Sequence, residues 1–256
     1  MDSFCRDIRE DILRISQRSG HGHIPTCFSV VEMIYAAYSV MRHKPTDPQW
    51  SERDIFILSK GHAALAHYCV LARLGYFPLK DVYSFGSFSS KFGCHADRLR
   101  VPGVEMSTGS LGHGSGVAAG IALAFKMNKS PRRVFVLIGD GESNEGTVWE
   151  SLMVAASLKL DNLYILFDNN ESQSRCLPVT KPQDKFRAFD CEVVELNGHD
   201  VSALKEAMSL PPQGRPKVII ANTVKGRGCR TLVENVFAWH RRSPSKEELD
   251  CLLKEI

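Results

Sequence analysis

Residues 134–170 read "VFVLIGDGESNEGTVWESLMVAASLKLDNLYILFDNN", and this stretch decides the fold. "VFVLIG" and "NLYILFDN" are short apolar runs rich in β-branched and aromatic residues, while "TVWESLMVAASLK" between them has the spacing of a helix. A strand, a helix and a second strand of these lengths form one unit of a parallel sheet whose strands are covered on both faces. Both runs end on polar groups, Gly139, Asp140 and Gly141 in one case and Asp168, Asn169 and Asn170 in the other. Ligands of open parallel sheets bind at the carboxyl ends of the strands, so the two ends can present oxygens to one site.

An aspartate carboxylate, an asparagine oxygen and a loop carbonyl suit Mg²⁺, which takes about six oxygens and shares them with phosphate and water. Gly141 lets backbone approach a phosphate closely, and the start of the next helix favours an anion. A lone "GDG" is also ordinary turn chemistry. Here a second strand end, one strand-helix-strand unit away, gives it a partner.

The pattern continues outward. "DIFILS", "CEVVELN" and "KVIIANTV" read as further strands, and "FCRDIREDILRISQRS", "SVVEMIYAAYSVM", "GHAALAHYCVLARLGY", "VAAGIALAFKMN", "VSALKEAMSL" and "SKEELDCLLKEI" as helices, the last with a capping box of Ser245 and Glu248. Buried strands alternating with helices predict an α/β fold, a doubly wound parallel sheet flanked by helices, with residues 1–256 forming a single domain. The stretch from Phe77 to Gly116 lacks periodicity, and so long a loop in a compact domain points to function.

Composition excludes several classes. A net charge of +3 with interspersed signs does not make the clustered basic face of a nucleic-acid binder. Eight cysteines without a CxxC pair argue against zinc or a disulfide framework and for a reducing, cytoplasmic compartment. The charged N-terminus is no signal peptide, and no apolar stretch approaches the roughly 18 residues of a membrane span.

Taken together, "GHIPTCFSVVEM", "LSKGHAA", "CHADRLRVPGVEMSTGSLGHGSGVAAGIALA", "GDGESNEGTVWES", "NLYILFDNN", "ANTVKGRG" and "WHRRSP" resemble the transketolase family in order along nearly the whole chain. The likeness is to the N-terminal, diphosphate-binding half of enzymes split into two polypeptides. It implies the thiamine diphosphate-binding fold, thiamine diphosphate with Mg²⁺ as cofactors, and transfer of a two-carbon ketol unit from a ketose, or ketose phosphate, to an aldose acceptor. By resemblance, Asp140 and Asn170 ligate Mg²⁺ through side chains and Ser172 through its carbonyl. Gly139, Gly141, Glu142, Leu111, Gly112, His113 and Lys225 belong to the cofactor site, and His23, His62, His95 and His240 to catalysis, with His62 and His240 also near the diphosphate.

The glutamate that activates the cofactor belongs, in this family, to a pyrimidine-binding domain that these residues do not supply. The resemblance therefore implies a partner subunit carrying the pyrimidine and C-terminal domains, in a heterotetramer. Glu145 and Glu150 match an acidic network between half-sites, or are ordinary first-turn carboxylates. His43, His67 and His199 lie outside the matched loops and read as solvated, and the role of His21 stays open. Two departures stand out: "ESQS" after Asn170, where relatives carry glycine and a bulky apolar residue, and arginines after "WH". Arg98, Arg241 and Arg242 are either contacts for an anionic or modified sugar or solvated surface. Other readings are a relative acting on a modified sugar or a 2-oxoacid, or a scaffold without turnover.

Overall fold

A computed structural model describes residues 2–256. Five strands, β1 (Ile55–Leu58), β2 (Val134–Gly139), β3 (Leu163–Asn169), β4 (Glu192–Asn197) and β5 (Lys217–Asn222), form one sheet in the order β1-β2-β3-β5-β4. Every pairing is parallel. The helices are α1 (Ser3–Ser19), α2 (Ile24–Val40), α3 (Ala64–Arg73), α4 (Leu79–Val82) and α5 (His113–Met127). They continue with α6 (Gly146–Ser157), α7 (Pro182–Ala188), α8 (Val201–Ser209), α9 (Arg230–Glu234) and α10 (Lys246–Glu255).

Strand residues alternate between two cores, as the period of a strand requires. Phe135, Leu137, Tyr164 and Leu166 join α1, α2, α3 and α8 on one face. Val134, Val136, Ile138, Ile165 and Phe167 join α5, α6 and α7 on the other. The predicted doubly wound sheet is therefore present, with all five strands where the apolar runs placed them. Gly139 stands beside Asp168, and Asn169 beside Asn222, so the carboxyl ends of β2, β3 and β5 are level.

Some boundaries differ from the sequence reading. α2 starts at Ile24 rather than Ser29, because Pro25 sits in a first turn that needs no amide donor. α5 starts at His113 rather than Val117, after Gly112 turns through φ 82. A Cβ on Gly112 would fall 2.4 Å from Thr147 Oγ1, so only glycine fits this entry to the helix. The short helices α4, α7 and α9 have too few turns to show periodicity. The capping box of Ser245 and Glu248 at α10 is formed.

Three histidines expected in solvent are structural instead. His67 is buried in α3, where Nε2 meets Tyr38 Oη at 2.9 Å. Burial depresses its pKa to about 3. His43 stacks on Tyr76, and His199 sits between Glu32 and the Val224 amide. In each case an aromatic or polar partner far away in sequence takes the place of water. Among the described residues no helix is long and apolar enough to cross a membrane, and all eight cysteines are free.

Candidate active site

The ends of β2, β3 and β5 open into a cavity of about 400 Å³ that gathers residues from several separate loops. Asp140, Asn170 and Ser172 lie on one wall. Asp140 Oδ1 accepts from Ser172 Oγ and the Gly141 amide, both at 2.7 Å, and Oδ2 accepts from the Gln173 amide at 3.1 Å. The Gly141 amide is thus turned onto Asp140. Asn170 Oδ1 accepts from the Ser172 amide at 3.0 Å.

Beneath this wall lies an ion pair that the sequence reading missed: it named Asp168 as a polar strand end but did not pair it with Lys60. Asp168 is fully buried and accepts from Ser29 Oγ at 2.9 Å, from Asn170 Nδ2 at 2.6 Å, from Thr223 Oγ1 and from the Lys60 ammonium. Burial alone would raise the Asp168 carboxyl. The adjacent Lys60 charge and these hydrogen bonds outweigh it and hold the group below the ordinary carboxylate range. The available signal was a lysine directly after an apolar strand, in "FILSK".

Glu142 points into the interior rather than into the cavity centre. Its carboxylate accepts from Ser59 Oγ, from the Gly112 amide at 2.9 Å and from the Gly139 amide at 3.2 Å. It ties the loop after β1, the entry to α5 and the end of β2 to one point. Burial keeps its carboxyl above the ordinary range in spite of these donors.

The opposite wall is basic and aromatic. The His23 ring lies 5.6 Å from His62 and 5.2 Å from His240, centroid to centroid. The His23 amide donates to the His240 carbonyl at 3.1 Å, and the close approach of these segments needs a glycine: a Cβ on Gly22 would sit 2.3 Å from the Arg241 carbonyl carbon. Lys225 Nζ lies 3.4 Å from His240 Nδ1. His95 and Leu111 also line the cavity, His95 packing its ring over the open face of Gly61. Burial is the first cause at each ring: it depresses His62 to about 2, with Lys60 next, and His23 to about 4, with the neighbouring His240 and His95 next, and it lowers His240 too, with Lys225 next. Lys225 is lowered to about 8 by burial and by Lys60. The imidazoles of His23, His62 and His240 are therefore neutral at physiological pH, each with one nitrogen able to donate and one able to accept.

Some sequence candidates are not brought in. His113 is exposed and turned to Ser110 and the Leu111 carbonyl, and with Glu150 it lines a separate apolar groove between α5 and α6. His21 packs against Phe85 and Gly86. Arg98 is exposed outside the cavity, and Glu145 is exposed at the start of α6. Arg242 is spent on Glu248 and on the Trp239 ring, whereas Arg241 lines the cavity. A larger cavity of about 590 Å³ shares Asp140 and Gln173 but draws in none of the histidines.

A family model described as the transketolase thiamine diphosphate-binding domain matches residues 5–249. The chain belongs to the transketolase family. Among its relatives, an apulose-4-phosphate transketolase subunit of Actinobacillus succinogenes is 39% identical over 264 residues, covering 100% of this chain and 95% of that protein. The 6-deoxy-6-sulfo-D-fructose transketolase subunit SqwG of a Clostridium species is 36% identical, covering 97% and 93%. The crystal structure of Campylobacter jejuni transketolase superposes with a TM-score of 0.87 at 26% identity, covering 98% of this chain but 42% of that one. This transketolase-family chain thus spans less than half the length of that solved enzyme.

Proposed function

We propose that the chain is the diphosphate-binding subunit of a two-subunit transketolase, with residues 1–256 as one thiamine diphosphate-binding domain. The meeting of Asp140, Asn170 and Ser172 with His23, His62, His95 and His240 across one cavity carries this reading. The donors on the first wall fit Mg²⁺: a carboxylate, an amide oxygen and a backbone carbonyl are hard ligands that leave room for phosphate and water. Thiamine diphosphate, when bound, supplies the electron sink that retains a two-carbon unit between donor and acceptor.

The chain's own residues do the rest. Lys225 neutralises diphosphate charge beside His240. His62 and His240, kept neutral by burial, donate hydrogen bonds and relay protons without adding a permanent charge. His23 and His95, nearer the substrate, hold sugar hydroxyls.

A partner that completes the site fits the surface. Val117 of α5, Met153 and Val154 of α6 and Leu158 just after it are 41%, 56%, 52% and 42% exposed, and all but Met153 line the groove between the two helices that begins at Gly112. Such an apolar patch suits a second chain, here one carrying the pyrimidine and C-terminal domains in a heterotetramer. The free cysteines accord with a cytoplasmic setting. Co-expression with a candidate partner, light scattering, and titration with thiamine diphosphate and Mg²⁺ test this. Ketol transfer by the pair but not by the chain alone is expected; full turnover by the chain alone refutes the two-subunit reading, and a pair that binds no cofactor refutes the site.

One observation favours a modified, anionic donor. Arg241 lines the cavity beside His23 and His240 while Arg242 is occupied elsewhere, and the two relatives described above bear the names of apulose-4-phosphate and 6-deoxy-6-sulfo-D-fructose. Donors carrying phosphate or sulfonate are the ones to assay first.

A further inference from the structure

The loop 223–228 delivers Thr223 to Asp168 and Lys225 to the cavity, yet no regular element holds it. What holds it is a buried polar cluster on the far side of the loop. Arg9, fully buried in α1, grips Glu32 of α2 with two nitrogens, each at 2.8 Å. Glu32 Oε2 also meets His199 Nδ1 at 3.2 Å. His199 Nε2 accepts the Val224 amide at 2.8 Å, one residue before Lys225. Arg9 Nε donates to the Arg227 carbonyl at 2.8 Å, and the Gly226 amide donates to the Pro25 carbonyl at 3.1 Å.

The hydrogen-bond directions are fixed by chemistry. An amide can only donate, so His199 Nε2 must offer its lone pair and the ring proton must sit on Nδ1, facing Glu32. Burial would raise the Glu32 carboxyl, but the bonds from His199 and Arg9 prevail and hold it at about 2, so the acceptor stays charged. Two carbonyls and two amides of the 224–227 segment and of α2 are thereby engaged by groups that cannot swap roles. The ammonium of Lys225, in contrast, is carried on a long flexible stem, and beyond its contact with His240 Nδ1 at 3.4 Å its place depends on where its backbone is held.

We propose that Arg9, Glu32 and His199 form a positioning relay that sets where Lys225 enters the cavity, with His199 as its last member. The relay never touches the cavity, and its effect on cofactor rests on the reading of Lys225 as a diphosphate contact. Without the Val224 bond, the loop keeps Thr223 on Asp168 and Gly226 on Pro25 but loses the anchor on the N-terminal side of Lys225.

The test uses the chain with its partner subunit, titrated calorimetrically with thiamine diphosphate and Mg²⁺. His199→Ala is expected to weaken binding about tenfold, the size found when groups that orient a ligand are removed. His199→Gln, which can place an acceptor near the position of Nε2, restores most of the loss. In a Lys225→Met background, His199→Ala has no further effect. An equal tenfold loss in that background, or no loss with Lys225 present, overturns the proposal. Amide exchange of the chain without cofactor gives a second, independent reading: residues 224–228 exchange faster in His199→Ala and close to wild type in His199→Gln. Unchanged exchange there also overturns it. A wild-type complex that binds no cofactor, with the exchange result as expected, would instead count against the cofactor site and leave the relay in place.

Discussion

Asn170 donates its side-chain amide to Asp168 at 2.6 Å, and this bond decides which end of the amide reaches the cavity. With Nδ2 committed to a buried carboxylate, Oδ1 is the end left toward Ser172 and the ligand wall. The orientation of one proposed metal ligand is therefore set by a residue that does not itself touch the metal site. Asp168 is in turn oriented by Lys60, Ser29 and Thr223.

Asp168→Ala leaves the Lys60 ammonium buried without its partner. A loss of about 3–5 kcal/mol in chemical denaturation is expected, the usual cost of breaking a buried pair. Lys60→Met combined with Asp168→Leu recovers most of that stability. It does not recover Mg²⁺-dependent cofactor affinity, because the Asn170 amide has lost its acceptor.

Stability depends on pH through the buried histidines. His62, His67 and His23 titrate at about 2, 3 and 4 in the folded chain, against 6.5 ordinarily. Below 6.5 the unfolded chain takes up protons that the folded chain refuses, so stability is full above that pH and is lost as pH falls toward the folded values. Each histidine contributes a slope of up to about 1.4 kcal/mol per pH unit. Glu142, raised by burial, opposes this slope. Thermal denaturation between pH 6.5 and about 5 should show a falling midpoint, and His67→Phe, outside the cavity, should flatten it.

In the proposed site Lys225 would attract a diphosphate only while protonated, and burial lowers its pKa to about 8. Cofactor affinity is expected to fall as pH rises through and above that value. Lys225→Arg, whose guanidinium keeps its proton, should make the profile flat over the same range. A wild-type profile already flat there would remove Lys225 from the diphosphate site.

Arg241→Ala should lower kcat/KM for phosphorylated or sulfonated donors by about 10- to 100-fold, the range for one charge-assisted contact. Neutral ketose donors should be affected little. Equal losses on both would mean that the arginine shapes the His240 segment rather than reading an anion.

What was legible in the sequence was what is local. The five strands are apolar runs bounded by breakers, and Asp140 and Asn170 stand where two such runs end, so pattern alone put them together. The histidines of the glycine-rich loops were found because their motifs are contiguous. What escaped depends on distant partners: Lys60 meets Asp168 across 108 residues and His199 meets Glu32 across 167. His199 looked like a lone surface histidine because nothing in "NGHDV" reveals Glu32. His113 is the reverse case: it shares a loop with residues that line the cavity, but the first turn of α5 leaves it exposed in the separate groove.

The strand order has a consequence for biosynthesis. β5 lies between β3 and β4 although it follows both in the chain, so β4 has no strand to pair with until β5 has left the ribosome. The same late segment brings Thr223 to Asp168 and Lys225 to the cavity. The proposed diphosphate site is thus completed only after β5 has been made, and a chain interrupted before residue 217 would carry Asp140 and Asn170 but an unclosed charge cluster beneath them.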